Sequence, residues 1–399
     1  MRGFKQAVIL AGGLGTRLGE KTASLPKPMM DIRGRPYLDY LVRHLVRQGI
    51  DQILLSVGYL HEAIVDHFGD GSDFRVSIKY VTEEQPMGTG GALRNCFADL
   101  ADRFFVLNGD TLFDVNLAAL ETTSDQNIIA LRGVPDRSRY GGVDVHNGVV
   151  SRFVEKGDAG PGMINGGVLC LNRGAVELLP PGRSSLEADL LPKLAAEGKL
   201  AAFRSAAFFI DIGLPETLEQ AQVEIPAWER KPIAFLDRDG VLNRDSGHVF
   251  QIQDFEWMPG AFEAVRFLND SGYHAVVATN QAGIAKGYYT EQDFFALTEW
   301  MKQELWVHGA HLDAVYHCPY HVDGIIDVYR RESDDRKPGP GMLLQAFRDF
   351  PSDPARSFFV GDQPSDRMAA EAAGVRFFGF TGGDLLTVIE SAVSASREE

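Results

Sequence analysis

Short apolar runs alternate along the chain with stretches in which apolar residues recur every three to four positions. Residues 7–10, 52–57, 104–107 and 128–131 are runs of the first kind, and 37–48 reads as a helix between the first two. Apolar strands separated by amphipathic helices are buried on both faces, which predicts α/β folding with parallel strand pairs. A helix is expected over 215–222. The pattern then restarts with a buried strand at 232–236 and later ones at 275–278 and 358–360. Between the two series lies a stretch containing Pro226, Trp228 and several charges, which reads as a linker. The expectation is two open α/β domains, 1–224 and 232–399, joined by a linker at 225–231. Such sheets bind ligands beyond the carboxyl ends of their strands.

Composition narrows the class. At 399 residues the chain is long enough for two cores, and 45% hydrophobic with 24% charged residues is the balance of a soluble globular protein. The net charge of -16 repels a phosphate backbone, so nucleic acid is not an expected partner. Small anionic substrates must then be met by local Lys, Arg, backbone N–H groups or a metal. The three cysteines, Cys96, Cys170 and Cys318, are isolated and odd in number, which argues against a disulfide framework and for a reducing compartment. No run approaches the roughly 18 apolar residues of a membrane helix. A cytoplasmic protein with no membrane association is expected, and a homo-oligomer is compatible with the composition.

The first strand, residues 7–10, feeds Ala11-Gly12-Gly13-Leu14-Gly15-Thr16-Arg17-Leu18. Glycines let backbone N–H groups approach phosphate oxygens. No Lys-Ser/Thr follows the last glycine, so this is not a P-loop, and the spacing does not fit a dinucleotide fingerprint. Leu25-Pro26-Lys27-Pro28 follows, with its lysine on a stiff extended segment suited to meeting a triphosphate. Together these motifs resemble the sugar nucleotidyltransferases, over roughly residues 5–223. Met87-Gly88-Thr89-Gly90-Gly91-Ala92-Leu93, Leu107-Asn108-Gly109-Asp110, Glu155-Lys156, Asn165-Gly166-Gly167 and Phe209-Ile210-Asp211-Ile212-Gly213 extend the match. The resemblance implies a Rossmann-like mixed sheet and attack of a sugar phosphate on the α-phosphorus of a nucleoside triphosphate. It implies that Leu10, Ala11, Gly12, Gly13, Gly15, Thr16, Gly88, Thr89 and Gly90 border the nucleotide. Arg17 and Lys27 would neutralise phosphates, and Asp110 and Asp211 would hold Mg²⁺. Glu155 and Asn165 would take sugar hydroxyls, and Lys156 the sugar phosphate. Such chemistry asks for positioning and charge neutralisation more than for covalent work.

The restarted pattern carries Phe235-Leu236-Asp237-Arg238-Asp239-Gly240 at the end of its first strand. Two carboxylates two positions apart point the same way, so one can attack phosphorus while the other handles a leaving-group proton. Ala278-Thr279-Asn280-Gln281, Arg336-Lys337-Pro338 and Val360-Gly361-Asp362-Gln363-Pro364-Ser365-Asp366 follow in order. This is similar to the haloacid dehalogenase phosphatases over roughly residues 232–390, with a HAD-like Rossmannoid sheet. The resemblance makes Asp237 the nucleophile, Asp239 the acid/base, Thr279 the phosphate binder, Lys337 the neutralising cation and Asp366 a support. Asp237, Asp239 and Asp362 would serve the Mg²⁺ site. Roughly 40 residues separate Asp237 from Thr279, too few for a helical cap of ordinary domain size, so the site is expected to be open.

Met258-Pro259-Gly260, the segment 279–287 and Arg336-Lys337-Pro338-Gly339-Pro340-Gly341-Met342 narrow the second resemblance to heptose 1,7-bisphosphate and histidinol phosphatases. On that likeness Asn280 and Arg336 would contact substrate, Arg336 at the remote phosphate. Such phosphatases usually carry a zinc-binding Cys/His set. Here Cys318 and His321 are followed by Ser333-Asp334-Asp335 where cysteines are usual, so zinc is not expected. Gln363 stands where a lysine is usual. The first half also resembles heptose 1-phosphate guanylyltransferases. A bifunctional enzyme of GDP-heptose synthesis is the leading expectation. A mannose 1-phosphate guanylyltransferase or other sugar transferase fused to a histidinol-phosphatase-like half, or one silent regulatory half, are the alternatives.

Overall fold

The computed structural model describes residues 5–13, 15, 18–19, 24–154, 157 and 159–397. The chain divides into two compact units, Met1–Ala227 and Trp228–Glu399.

The described residues of the first unit form a nine-stranded mixed sheet. Its parallel part runs Ser77–Thr82, Gln52–Val57, Gln6–Leu10, Arg103–Asn108. Ala7, Val8 and Ile9 are wholly buried at its centre, as an uninterrupted apolar run should be when both sheet faces are covered. Register aligns Leu10 with Ser56 on one side and Asn108 on the other, so the loops that follow these strands open at one edge. Beyond Arg103–Asn108 the pairing turns antiparallel to Gly162–Asn172, which accounts for the mixed sheet. A separate two-stranded ribbon pairs Thr111–Phe113 with Phe209–Asp211, matching Thr111 to Asp211. Phe104, Val106, Ile129 and Leu169 share one core with Leu186, Leu190 and Leu194.

The helix expected over 37–48 is Tyr37–Arg47, with Gln48 as its cap. The linker expectation needs correction. The helix expected to stop at 222 runs Pro215–Glu229 and includes Pro226. Leu218, Ala221 and Ile225 recur at helical spacing and are buried, and that stripe outweighs the hydrogen bond the proline removes. The expected linker at 225–231 is therefore mostly helix.

In the second unit five parallel strands run Ala314–Cys318, His274–Asn280, Ile233–Leu236, Phe358–Gly361, Arg376–Gly379. Chain order reverses beside Ile233–Leu236, the switch point at which open α/β sheets form ligand crevices. Asp237 follows this central strand, and its N–H donates to Val360 O at 3.0 Å. The alternation of Ile233, Phe235 with Ala234, Leu236 sends side chains into two cores, one on each face of the sheet. Among the described residues, no helix is long and apolar enough to cross a membrane.

Candidate active sites

In the first unit the loops at the open edge of the parallel strands enclose a cavity of about 460 Å³. Leu10, Ala11, Gly12, Gly13 and Gly15 border one side, with Gly88 and Thr89 opposite. Gly88 is needed for its backbone, with φ at +70° and a Cβ position only 2.4 Å from Ser184 O. At Gly12 a Cβ would lie 2.5 Å from Glu83 Oε1, so the glycine lets that carboxylate reach the cavity wall. Gly90 lies behind the wall, packed against Ser184 and Leu179.

The ribbon brings Asp110 and Asp211 to the same end. Lys27 Nζ lies 2.5 Å from Asp110 Oδ2. Asp211 is held by Arg139 Nη2 at 2.8 Å, the Tyr140 hydroxyl at 2.5 Å and the Gly213 N–H at 2.9 Å. Burial, and then the fields of Asp110 and Asp211, push the Tyr37 phenol well above its ordinary pKa. Tyr140 is pushed up by burial and by its bond to Asp211. Asp110 lines the cavity and Asp211 does not; a pair of carboxylates is a donor set that suits a hard divalent cation. Asn165 is not among the cavity-lining residues. Its side chain accepts the Gly167 N–H at 2.9 Å, beside a bulge in its strand. Thr16, Arg17, Glu155 and Lys156 lie outside the described residues.

In the second unit the motifs converge at the carboxyl ends of the three central strands. Lys337 Nζ sits 2.8 Å from Asp237 Oδ2 and 2.7 Å from Asp366 Oδ1, and all three groups are buried. Burial pushes the Asp237 carboxyl up to about 7 even against the pull of Lys337. Burial also raises Asp362, against the Gln363 amide that donates to its Oδ2 at 2.6 Å. Lys337 is raised, because Asp237 and Asp366 together outweigh its burial.

Asp237, Asp362 and Asp366 place carboxylate oxygens within 4.8 Å of one another, and Asp362 Oδ1 is buried without a hydrogen-bond partner. Three carboxylates against one lysine leave negative charge that a divalent cation would balance, so the residues fit one. Asp239 is also expected at the metal; its carboxylate is held by Arg238, Asn243 and Gln281 and lies outside this group, in which Asp366 stands beside Asp237 and Asp362. Among the described residues this is the one such group, and Cys318, His321, Asp334 and Asp335 do not assemble into another.

Asn280 ties two motifs together. Its Nδ2 donates to Lys337 O and its Oδ1 accepts the Lys337 N–H, both at 3.0 Å, and each atom keeps one further hydrogen bond to offer. Arg336 is half-buried, its Nη1 has no hydrogen-bond partner, and burial lowers its pKa. Sequence reasoning passed over Glu83, Arg139, Tyr140, Arg183 and the pair Gln281–Tyr289. Gln281 stands inside a recognised motif, whereas Arg139 and Tyr140 lie in a turn with no pattern to betray them.

Comparison with known proteins agrees with this geometry. The nucleotidyl transferase family model matches residues 6–227, and a HAD-hydrolase-like model matches 335–386. The chain thus belongs to the nucleotidyl transferase family and carries a second, HAD-type hydrolase unit of the heptose-bisphosphate phosphatase family, which makes it a bifunctional enzyme. A D-glycero-alpha-D-manno-heptose 1-phosphate guanylyltransferase of Aneurinibacillus thermoaerophilus is 39% identical over 226 residues, 55% of this chain and 98% of that protein. A D-glycero-beta-D-manno-heptose-1,7-bisphosphate 7-phosphatase of Rhodopseudomonas palustris is 47% identical over 156 residues, 39% of this chain and 87% of that protein. The crystal structure of HddC from Yersinia pseudotuberculosis superposes with a TM-score of 0.51 at 38% identity, covering 56% of this chain and all (100%) of that one. Enzymes of both classes generally use divalent metals.

Proposed function

We propose that the second unit removes the 7-phosphate of D-glycero-D-manno-heptose 1,7-bisphosphate. The first unit then transfers GMP from GTP to the resulting heptose 1-phosphate, giving GDP-heptose and pyrophosphate. The observation that carries this reading is that one chain joins a unit with heptose-1,7-bisphosphate 7-phosphatase relatives, one of them named for the alpha form, to a unit whose relative is named for guanylyl transfer to the alpha heptose 1-phosphate. The phosphatase relatives include both anomers, for one from Burkholderia mallei, 50% identical over 141 residues, is named for the alpha form. The transferase relative is named for alpha alone. Two steps that share an intermediate must share its anomer, so α is the form proposed.

In the phosphatase, Asp237 attacks the 7-phosphorus and the C7 oxygen departs with a proton from Asp239. Water then attacks the aspartyl phosphate, Asp239 takes its proton, and inorganic phosphate leaves. Lys337 neutralises the Asp237–phosphoryl charge and Thr279 steadies the transferring group. A divalent cation, Mg²⁺ in this reading, supplies charge neutralisation at the phosphoryl oxygens when held by Asp237, Asp362 and Asp366. Arg336, whose buried Nη1 has no hydrogen-bond partner, takes the 1-phosphate.

In the transferase, Lys27 leaves Asp110 for the triphosphate, and Asp110 and Asp211 hold the cation. GTP is supported by Glu83. Its two oxygens accept from Ser56 Oγ and the Met87 N–H, and each keeps acceptor capacity toward the cavity. Guanine presents two adjacent donors, N1–H and N2–H, to such a carboxylate. A uracil or thymine edge presents one donor between two acceptors.

The test is a substrate panel. Each nucleoside triphosphate is offered with α- and β-heptose, mannose and N-acetyl sugar 1-phosphates. Phosphate release is followed from both heptose bisphosphate anomers and from histidinol phosphate. Highest kcat/KM for GTP with the α-heptose 1-phosphate, and for the α-bisphosphate, is expected. Preference for mannose 1-phosphate or histidinol phosphate would replace the reading. We place the enzyme in the cytoplasm, where its three free cysteines stay reduced.

A further inference from the structure

Asp239, the acid/base of the preceding reading, is surrounded by donors. Its Oδ1 accepts from Arg238 Nε at 3.2 Å, Arg238 Nη2 at 2.9 Å and Asn243 Nδ2 at 3.0 Å. Its Oδ2 accepts from Arg238 Nη2 at 2.8 Å and Gln281 Nε2 at 3.1 Å. A carboxylate offers about four lone-pair sites in all, so this one is full. A substrate oxygen can reach it only by displacing a donor. Arg238 is 1% exposed and charge-assisted, and it also donates to Val249 O, so it is fixed. Of the two neutral donors, Asn243 is wholly buried and also donates to Arg244 O, whereas Gln281 makes the longer bond, at 3.1 Å against 3.0 Å, and its bond is the one to yield.

The amide of Gln281 is itself fully committed. Besides Asp239, its Nε2 donates to Thr279 Oγ1 at 2.9 Å. Its Oε1 accepts the Tyr289 hydroxyl at 2.6 Å. Gln281 is 1% exposed and Tyr289 6%, so neither bond is shared with bulk water. The Tyr289 proton decides which end of the amide faces Asp239. A flipped amide would set Oε1 against a carboxylate and leave the Tyr289 hydroxyl facing an NH₂ group. The Tyr289 ring is fixed in turn, stacked on Phe250 with centroids 5.0 Å apart. On another side, a Cβ at Gly283 would lie 2.1 Å from Tyr289 Cε1.

We propose that Gln281 and Tyr289 are positioning residues for phosphoryl transfer. The Gln281 amide holds the acid/base Asp239 and the phosphate binder Thr279 in one register and occupies the place the leaving-group oxygen takes, while Tyr289 fixes the sense of that amide. The proposal rests on the phosphatase reading above. It goes beyond that reading, which gives neither Gln281 nor Tyr289 a role.

The full chain with Mg²⁺ tests it through Tyr289→Phe, Gln281→Met and Gly283→Ala. Two substrates separate positioning from general damage. A sugar bisphosphate needs a proton at its leaving oxygen. 4-Nitrophenyl phosphate releases an anion that does not, so its burst of nitrophenolate reports attack by Asp237 alone. The expected result for Tyr289→Phe is a kcat on the bisphosphate lower by about 10- to 100-fold, with KM within about threefold. The burst rate should change by less than about threefold, and the melting temperature should stay near wild type. Gly283→Ala should follow Tyr289→Phe, since it displaces the ring and keeps the hydroxyl. If Gln281→Met does not fold, Tyr289→Phe, which removes one oxygen, decides alone. Unchanged kcat, or equal losses on both substrates, would overturn the proposal. A wild-type protein that turns over neither substrate would overturn the phosphatase reading beneath it.

Discussion

Lys27 has two partners that it cannot serve at once. It pairs with Asp110, with side-chain exposures of 12% and 40%, so the pair is partly screened by solvent. In the proposed transfer a triphosphate would compete for the ammonium and free Asp110 for a cation. Glu83 has the opposite character. Among the described residues no Lys or Arg pairs with it, and its neutral donors Ser56 and Met87 N–H orient it without consuming it. Glu83→Gln turns one acceptor oxygen into a donor group, which meets guanine N–H groups badly. The expected result is a fall of about tenfold or more in kcat/KM for GTP, with UTP affected far less, because a buried donor left unpaired is what such sites discriminate by. Steady-state rates with the four triphosphates check it. An unchanged GTP preference would mean that the base is read elsewhere.

At the scale of elements, Asp313 shows how a loop residue fixes a strand. It stands just before Ala314–Cys318, and its carboxylate accepts from His274 Nδ1 and the Ala275 N–H, both at 2.9 Å. Burial alone would raise this carboxyl, but His274 overrides it and holds the pKa at about 2. A depressed folded-state pKa means that the stabilisation is present above the unfolded carboxylate value, about 4, and is lost as pH falls toward 2. Asp313→Asn should therefore cost about 2 kcal/mol at pH 7, and that difference from wild type should shrink between pH 4 and 2. Urea unfolding across that range measures it, and a constant difference would remove the pair from the account. The strands themselves were legible because periodicity is a local signal: 52–57 was read to the residue as Gln52–Val57. What escaped was tertiary. The Thr111–Phe113/Phe209–Asp211 ribbon rests on a pairing nearly a hundred residues apart in sequence, and it is what sets Arg139 and Tyr140 on Asp211. The helix through Pro226 was missed because a proline signals an end locally, whereas burial of Ala221 and Ile225 decides globally. Asp237, Lys337 and Asp362 were legible because each closes a strand or motif. The donors that surround the Asp239 carboxylate were not, since side-chain direction is not a sequence property.

The molecule as a whole carries a net charge of -16 yet handles substrates that are all anions. In the proposed reading each site answers locally, with Lys27 in one unit and Lys337 and Arg336 in the other, and each would add a divalent cation. The two units also keep separate cores, one on Val8, Leu54 and Phe104 and others on Ala234, Leu236 and Ile233, Phe235. Nothing in either set of contacts requires the chemistry of one site to run for the other to work. Asp237→Asn should then abolish phosphate release and leave nucleotidyl transfer to supplied sugar 1-phosphate near wild type. Asp110→Ala should do the converse, losing about 3 kcal/mol of transition-state stabilisation, or roughly a hundredfold in rate. Mixing the two variants makes the stronger test. Asp237→Asn is dead and Asp110→Ala slow in the overall conversion of bisphosphate to nucleotide sugar, and an intermediate free to diffuse lets one finish what the other begins. The mixture should recover conversion in proportion to the active sites present, followed by pyrophosphate release. Loss of both activities in either folded variant, or a mixture that stays silent while each half-reaction runs, would show that the sites depend on one another within a single chain.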